Sequence, residues 1–489
     1  MKNNHFYLMV TAIVVAGTLL RIYNVNYASL WADELYSVLA VRPGNSWYEI
    51  LYMQRAYQPP AYFMLLWVWT KAFGFDEFSV RLLSVIGGVL CIAVSAWLGR
   101  VVLNARLGIL MALIVAFNPV QIWYSLEVRF YVFVYFFAAL SILLYWQLRR
   151  QKPRSAWLYL FKGSVDATLC YFHHFGIVFV FAQGVFDLFF WKQERDGIFL
   201  RKMFMGYLFA ALLYLPWVLW GLTEGLAVKQ YWLKENDLLQ FLRFNFGYPN
   251  LVTYTALAMV AWFVVVAIRQ KRWLLLLFPF IVALVTLVPF LYSVIRFPIL
   301  VDRYAMVLAP LFYLMLGFSI LHLAAKLQDA APVPLAKGAH ALVMAAFCFW
   351  GLHLSLVDRA PLVKQPWREL AEWVKKQPDY GQVPVYSLGT QVKGLSNIDF
   401  YLDSQKPSVH LDRLVPGRDA KMYLVETSGI WQIRDSVWQR VDSFYNRRKL
   451  ALDPAYPGTG NIYICERKNN TLIALRDSAG KQLNQWTAR

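Results

Sequence analysis

The chain alternates long apolar runs with short polar breaks, a spacing that suits a bilayer better than water. A hydrocarbon core of ~30 Å takes about 20 apolar residues per helix. On that measure the pattern predicts spans over residues 6–22, 82–99, 107–123, 130–148, 156–172, 175–191, 203–220, 251–268, 273–291, 305–325 and 339–356. That is about eleven transmembrane helices. The run from Pro59 to Phe73 is apolar but short and holds Lys71. It is predicted as an interfacial or re-entrant helix, with Trp67 and Trp69 at headgroup depth. Two outer segments are long, one over about residues 23–81 and the other over about 221–250.

Hydropathy collapses from about residue 357 onward. The tail predicts a helix over Trp367–Lys376, strands over Val383–Leu388, Met422–Val425 and Asn461–Cys465, and a second helix near Val437–Arg447. The expected plan is thus a membrane domain over 1–356 and a small α/β domain over 357–489. The first apolar run, Phe6 to Leu20, starts with charge as a signal peptide does. It lacks a small-residue cleavage site and is followed at once by Arg21, so it is read as a retained helix.

Composition narrows the class further. Hydrophobic residues make up 59% of 489 positions and charged residues 16%, against about 25% charged in globular chains. A net charge of +19 would suit nucleic acid if it were pooled in one basic domain. Instead the cations stand in short clusters: Arg100 with Arg106; Arg149, Arg150, Lys152 and Arg154; Lys192, Arg195, Arg201 and Lys202; Arg269, Lys271 and Arg272; Lys326 and Lys337. With the N-terminus inside, all of these fall on the cytoplasmic side and the alternate loops are poorer in cations. No nucleic-acid partner is expected. The same parity places the tail domain outside a multi-pass protein of the cytoplasmic (inner) membrane. Cys91, Cys170, Cys348 and Cys465 have no metal-ligand spacing, so neither a disulfide framework nor a zinc site is expected.

The outer loops gather ionisable groups beside aromatics. In Trp31-Ala32-Asp33-Glu34-Leu35-Tyr36-Ser37, a carboxylate is placed to take a proton from an acceptor hydroxyl. The competing account is a helix start, with Asp33 capping and Glu34 favoured by the dipole. In Arg55-Ala56-Tyr57-Gln58-Pro59-Pro60, the prolines end one element and start another. Arg55 and Tyr57 there suit either an anionic ligand or the lipid headgroups. Glu127 and Arg129 lie at a helix mouth, where an uncompensated charge is expensive. Either they pair within the protein, or Arg129 neutralises a phosphate while Glu127 positions a sugar, a metal or an acceptor. His173 and His174 are adjacent and cannot both face one metal on a regular helix. They suit hydrogen bonding to a ligand or a structural interface. Arg303, in Asp302-Arg303-Tyr304, is a further phosphate candidate. Lys162 and Asp166 stand apart, inside a predicted span at i,i+4. Intramembrane charges are functional suspects, and mutual neutralisation is the simpler account here.

In order and membrane side, these motifs resemble the GT-C superfamily of membrane glycosyltransferases. The likeness is to the protein O-mannosyltransferases and lipid A aminoarabinose transferases in particular (glycosyltransferase family 39-like). The resemblance rests on Trp31-Ala32-Asp33-Glu34; Gln58-Pro59-Pro60-Ala61-Tyr62-Phe63; Arg81-Leu82-Leu83-Ser84; Glu127-x-Arg129-x-Tyr131; and Asp302-Arg303-Tyr304 ahead of Pro310. It implies a polytopic α-helical bundle of GT-C type bearing a small extracytoplasmic α/β domain. It also implies inverting transfer of a hexosyl or pentosyl group from a polyprenyl-phosphate carrier to an extracytoplasmic acceptor, whether protein, lipid A or another glycan or lipid.

Asp33 would then be the general base and Glu34 its neighbour in the catalytic rim. Arg303, Arg129, Arg55 and Tyr304 would hold the donor phosphate. Glu127, Tyr57, Tyr131, His173 and His174 would line the sugar or acceptor pocket. Gln58 departs from the mannosyltransferase pattern, where a histidine often precedes the two prolines. No cofactor is required by the spacing, and a divalent metal remains open. A transporter or flippase of a lipid-linked sugar or other amphiphile is the alternative. It expects charges near mid-membrane, where only Lys162 and Asp166 sit. A scaffold or receptor, the third class, would depend on the tail after Val357.

Overall fold

The computed structural model describes residues 3–54, 58–190, 196–222, 238–246, 250–330, 348–349, 352–353, 356, 365–387, 395–402, 407–415, 417–427, 435–450 and 460–468. The expected span over 339–356 lies largely outside them. The helices are α1 (Asn3–Asn24), α2 (Ala32–Ala40), α3 (Trp47–Gln54), α4 (Ala61–Phe73), α5 (Glu77–Val102), α6 (Ala105–Phe117), α7 (Pro119–Ser125) and α8 (Tyr131–Gln151). They continue with α9 (Trp157–Phe172), α10 (Phe175–Phe189), α11 (Gly197–Trp217), α12 (Leu238–Arg243), α13 (Asn250–Arg269), α14 (Leu277–Ile295) and α15 (Ala309–Ala330). The tail holds α16 (Trp367–Lys375), α17 (Asp435–Phe444) and the strands β1 (Val385–Ser387), β2 (Val409–His410), β3 (Lys421–Thr427), β4 (Tyr445–Leu450) and β5 (Gly460–Arg467).

The chain forms two compact units. Met1–Val25 and Gly44–Asp358 make the first; Asn26–Pro43 and Arg359–Arg489 make the second. The stretch holding Asp33 and Glu34 therefore folds with the tail.

In the first unit, six of the described helices are long and apolar enough to cross a bilayer, or seven if a bent pair counts as one span. Phe175–Phe189 and Thr253–Arg269 are apolar but shorter. The protein is a multi-pass membrane protein. α4 has 13 residues and is not among the long spans, in keeping with the short element expected at 59–73.

The span expected over 107–123 is broken by 61° between α6 and α7. Asn118 caps the new helix, its side chain accepting from the Gln121 N–H at 3.2 Å, and Pro119 occupies the first position. Proline has no N–H for the carbonyl four residues back. Arg21 fills that gap. Its guanidinium is fully buried and donates to the carbonyls of Val115 at 3.1 Å and Ala116 at 3.3 Å, and to Ser125 Oγ at 3.0 Å. Gly99 and Gly108 let α5 and α6 touch, since a Cβ on Gly108 would stand 2.3 Å from the Ala96 carbonyl oxygen.

Lys162 and Asp166 form the expected ion pair, and the carboxylate also accepts from Ser141 at 2.6 Å. Gln183 donates to the Ser141 hydroxyl at 3.0 Å, so α8, α9 and α10 share one polar core. A second pair, Arg149 with Asp187, is reinforced by Tyr145 at 2.5 Å and Tyr207 at 2.9 Å. Buried charges persist only when paired and hydrogen-bonded, and both pairs meet that condition.

In the second unit the sheet order is β2-β1-β3-β5-β4. β1 runs parallel to β2 and β3, while β5 is antiparallel to β3 and β4. Its core includes Tyr386, Leu411, Met422, Leu424, Val441, Tyr445 and Cys465. The helix expected near Val437–Arg447 ends at Phe444, and Tyr445 begins a strand instead. Tyr445 is buried against the sheet, and Arg447 lies over the Trp438 ring at 4.2 Å. Nothing local distinguishes Asn-Arg-Arg-Lys in an exposed strand from the same run on a helix surface; pairing with β5 decides it.

Candidate active site

The helix-mouth residues of the first unit come together from distant parts of the chain. Between α7 and α8, the Arg129 N–H donates to the Glu127 carbonyl at 2.7 Å, a three-residue turn that holds both residues in the loop. Both are buried. Arg129 Nη2 donates to Gln58 Oε1 at 3.2 Å, and its guanidinium carbon lies 4.9 Å from the Phe130 ring centre. Gln58 thus supplies a carbonyl acceptor where the resembling family often has histidine. Tyr131 packs edge-on against Tyr124 at 5.1 Å.

His173 and His174 lie between α9 and α10, outside both helices. The His173 ring sits 4.4 Å from Tyr304 and 5.2 Å from Phe130. Its Nδ1 accepts the Phe175 N–H at 3.1 Å. An Nδ1 that accepts leaves the proton of the neutral ring on Nε2. Burial, then His174, Arg129 and Arg303, push His173 well below the usual histidine range. Loss of hydration pushes His174 down to about 4, with the Tyr214 hydroxyl 3.3 Å from its Nδ1. His173 is therefore a neutral donor within the field of two arginines.

Arg303 and Tyr304 sit in a 3-10 turn, Asp302–Leu308, that leads into α15. The Asp302 carboxylate accepts from the Arg303 N–H at 2.7 Å and from Gln240 Nε2 at 3.1 Å. Glu127, Tyr131, Asp302 and Arg303 all act electrostatically on Tyr124. Behind this layer, Asn245 Nδ2 donates to the Ala305 carbonyl at 2.9 Å. Tyr313 donates to the Asn245 carbonyl at 2.7 Å, and Gln121 to the Tyr313 hydroxyl at 3.1 Å. These contacts fix the turn against α7. The cluster presents two guanidiniums, a neutral imidazole N–H and tyrosine hydroxyls, a set suited to an anion, with Glu127 and Asp302 as counter-charges.

Of the residues singled out in the sequence, Glu127, Arg129, Tyr131, His173, His174, Arg303 and Tyr304 belong to this unit, and Arg55 and Tyr57 lie outside the described residues. Asp33 and Glu34 stand in the second unit, in the first turn of α2. The N-cap is Trp31 rather than Asp33. Glu34 reaches back to accept the Trp31 N–H at 3.1 Å and is 2% exposed. Gln365 Oε1 accepts the next N–H, from Ala32, at 3.0 Å. Glu34 thus holds the helix start, while Asp33 stays partly exposed. Gln58 stood in a motif, whereas Gln121, Gln240, Asn245 and Gln365 carried none. Among the described residues, no three His, Cys, Asp or Glu side chains are grouped closely enough to hold a metal ion.

The two histidines predict a pH dependence. A histidine whose folded-state value is depressed contributes stability above the unfolded value of about 6.5. That stability is lost as pH falls from there towards about 4 for His174. The melting temperature in detergent is expected to drop across this window, and His174→Gln to flatten part of the drop. Equal drops in both proteins would remove His174 as a source.

Residues 57–220 match the family profile of dolichyl-phosphate-mannose-protein mannosyltransferases. No curated protein sequence matches the chain significantly. Among solved structures, apo ArnT from Cupriavidus metallidurans aligns with a TM-score of 0.61 at 12% identity, over 95% of this chain and 98% of that one. The same protein bound to undecaprenyl phosphate gives 0.57 at 12% identity over the same shares. The Archaeoglobus fulgidus oligosaccharyltransferase tethered to an acceptor peptide gives 0.53 at 11% identity, over 96% of this chain and 74% of that one. The GT-C fold implied by the five sequence motifs is thus the fold of this chain.

Proposed function

We propose that the protein is an inverting glycosyltransferase that moves a hexosyl or pentosyl group from a polyprenyl-phosphate carrier to an extracytoplasmic acceptor. The observation that carries this reading is the packing of buried His173 against Tyr304 at 4.4 Å and Phe130 at 5.2 Å, the chain neighbours of Arg303 and Arg129. When the sugar leaves, the lipid phosphate gains charge. Preorganised donors aimed at developing charge lower such a barrier most. Arg303 and Arg129 take the phosphate, with Tyr304 beside them, and Glu127 and Tyr131 border the sugar. Asp33 removes the acceptor's proton as it attacks. The ArnT structure with undecaprenyl phosphate supports a lipid-phosphate donor for a bundle of this fold. The cationic loop pattern supports an inner-membrane protein whose tail domain, from about residue 357, lies outside the cytoplasm.

The test incubates purified protein with a panel of polyprenyl-phosphate sugars and follows free lipid phosphate. Wild type is expected to release it from at least one donor when an acceptor is present. Arg303→Gln should slow that release about a hundredfold, the usual cost of removing one charge-stabilising donor. Release at the wild-type rate by Arg303→Gln would count against a phosphate role for this residue.

A further inference from the structure

A second cation-lined site lies in the first unit, away from the cluster described above. A cavity of about 420 Å³ is bounded by the connection between α5 and α6, the turn after α13 and α15 from its middle onward. Arg106, Arg272, Gln270, Asn104 and His322 give it a polar, cationic lining, and among the described residues none that lines it is acidic. Leu103, Phe318 and Leu321 supply apolar wall. Arg303 precedes α15, whereas these α15 residues run from its middle at Phe318 towards the other end of the helix.

Two local features build the cavity. Asn104 Oδ1 accepts the N–H groups of Arg106 at 3.0 Å and Leu107 at 3.1 Å, which starts α6 and sets Arg106 in its first turn. At the end of α13, Lys271 adopts φ of 53°, a left-handed conformation disfavoured for a residue with a Cβ. The Arg272 N–H then donates to the Ala267 carbonyl at 2.9 Å. That turn closes the helix with Gln270 and Arg272 both on the cavity wall. Loop cations that serve only to orient a membrane protein need no shared hollow with an apolar wall. Basic pockets between transmembrane helices take the phosphates of anionic lipids.

We infer that this cavity binds the phosphate-bearing headgroup of an anionic phospholipid, with Arg106 and Arg272 as its counter-charges. The apolar wall favours a lipid over free phosphate. The site is independent of the glycosyl-transfer reading.

Native mass spectrometry of the full-length protein released from detergent tests this, with phosphatidylglycerol and phosphatidylcholine as probes. Wild type should retain phosphatidylglycerol preferentially. Replacing both arginines (Arg106→Gln with Arg272→Gln) should cut phosphatidylglycerol affinity about 30-fold, at roughly fivefold per cation. Arg154→Gln, which removes an exposed cation from another connection, should leave it unchanged. Size-exclusion profiles report whether each variant is folded. The inference is overturned if folded double variant keeps the wild-type preference, or if Arg154→Gln loses as much. It is equally overturned if inorganic phosphate displaces the lipid at matching concentration.

Discussion

Asp33→Asn is expected to lower lipid-phosphate release about a thousandfold, within the range for loss of a general base. The substitution keeps the shape of the side chain and removes its capacity to take a proton. It leaves the α2 cap in place, because the helix start is held by other groups: Glu34 caps Trp31, and Gln365 receives the Ala32 N–H. Asp33 lies within the first turn and is partly exposed. Glu34→Gln is the matched control. It retains a carbonyl oxygen for the Trp31 N–H, so it should reduce activity far less than Asp33→Asn. Single-turnover release with saturating donor separates the two. A rate for Asp33→Asn within threefold of wild type would rule out Asp33 as the base.

The second large effect falls on stability. Lys162→Met alone leaves the Asp166 carboxylate buried with Ser141 as its remaining neutral donor. Breaking a buried pair in this way costs about 3–5 kcal/mol, whereas replacing both charges by apolar groups is often neutral. Lys162→Met combined with Asp166→Leu should therefore recover much of the loss, short of about 1–3 kcal/mol for the Ser141 O–H left without its acceptor. Equilibrium unfolding in mixed micelles measures both. The double variant also separates the functional classes. An enzyme whose chemistry sits at the helix mouths keeps its sugar transfer, while a transporter that relies on deep charges loses its activity. A double variant less stable than Lys162→Met would show that the two residues do not act as a pair.

What was legible in the chain followed from periodicity and local spacing. The apolar runs announced the bundle because each helix carries its own hydropathy. Lys162 and Asp166 were readable as a pair because an i,i+4 spacing is a contact on any helix. Ser141 and Gln183 were not readable as their partners, since those bonds join α8, α9 and α10 across tertiary space. The same holds for Arg149 with Asp187. At the helix mouths the charged residues stood out, but the amides that position them did not. Gln58 read as a departure from a family pattern, and the structure places its carbonyl on Arg129. Glu34 read either as the neighbour of a general base or as a dipole-favoured residue of a helix start, and in the structure it accepts the Trp31 N–H. That Asn26–Pro43 folds with the tail was beyond sequence reading. The contacts responsible, Ser29 to the Gln365 carbonyl at 2.6 Å and Leu30 to the Tyr401 hydroxyl at 2.7 Å, bridge more than 300 residues.

The buried guanidinium near the end of α1 bears on the order in which the chain assembles. Only one of the acceptors of Arg21, the Gly17 carbonyl at 3.0 Å, lies in its own helix. The Val115 carbonyl is 94 residues further on, and Ser125 is 104. During synthesis the first helix therefore carries a cation whose full set of partners emerges only with the bent pair α6 and α7. Until then, hydration is the cheapest state for that charge, which holds this end of the helix near the interface. Docking of the kinked pair then replaces that hydration with the Val115, Ala116 and Ser125 acceptors.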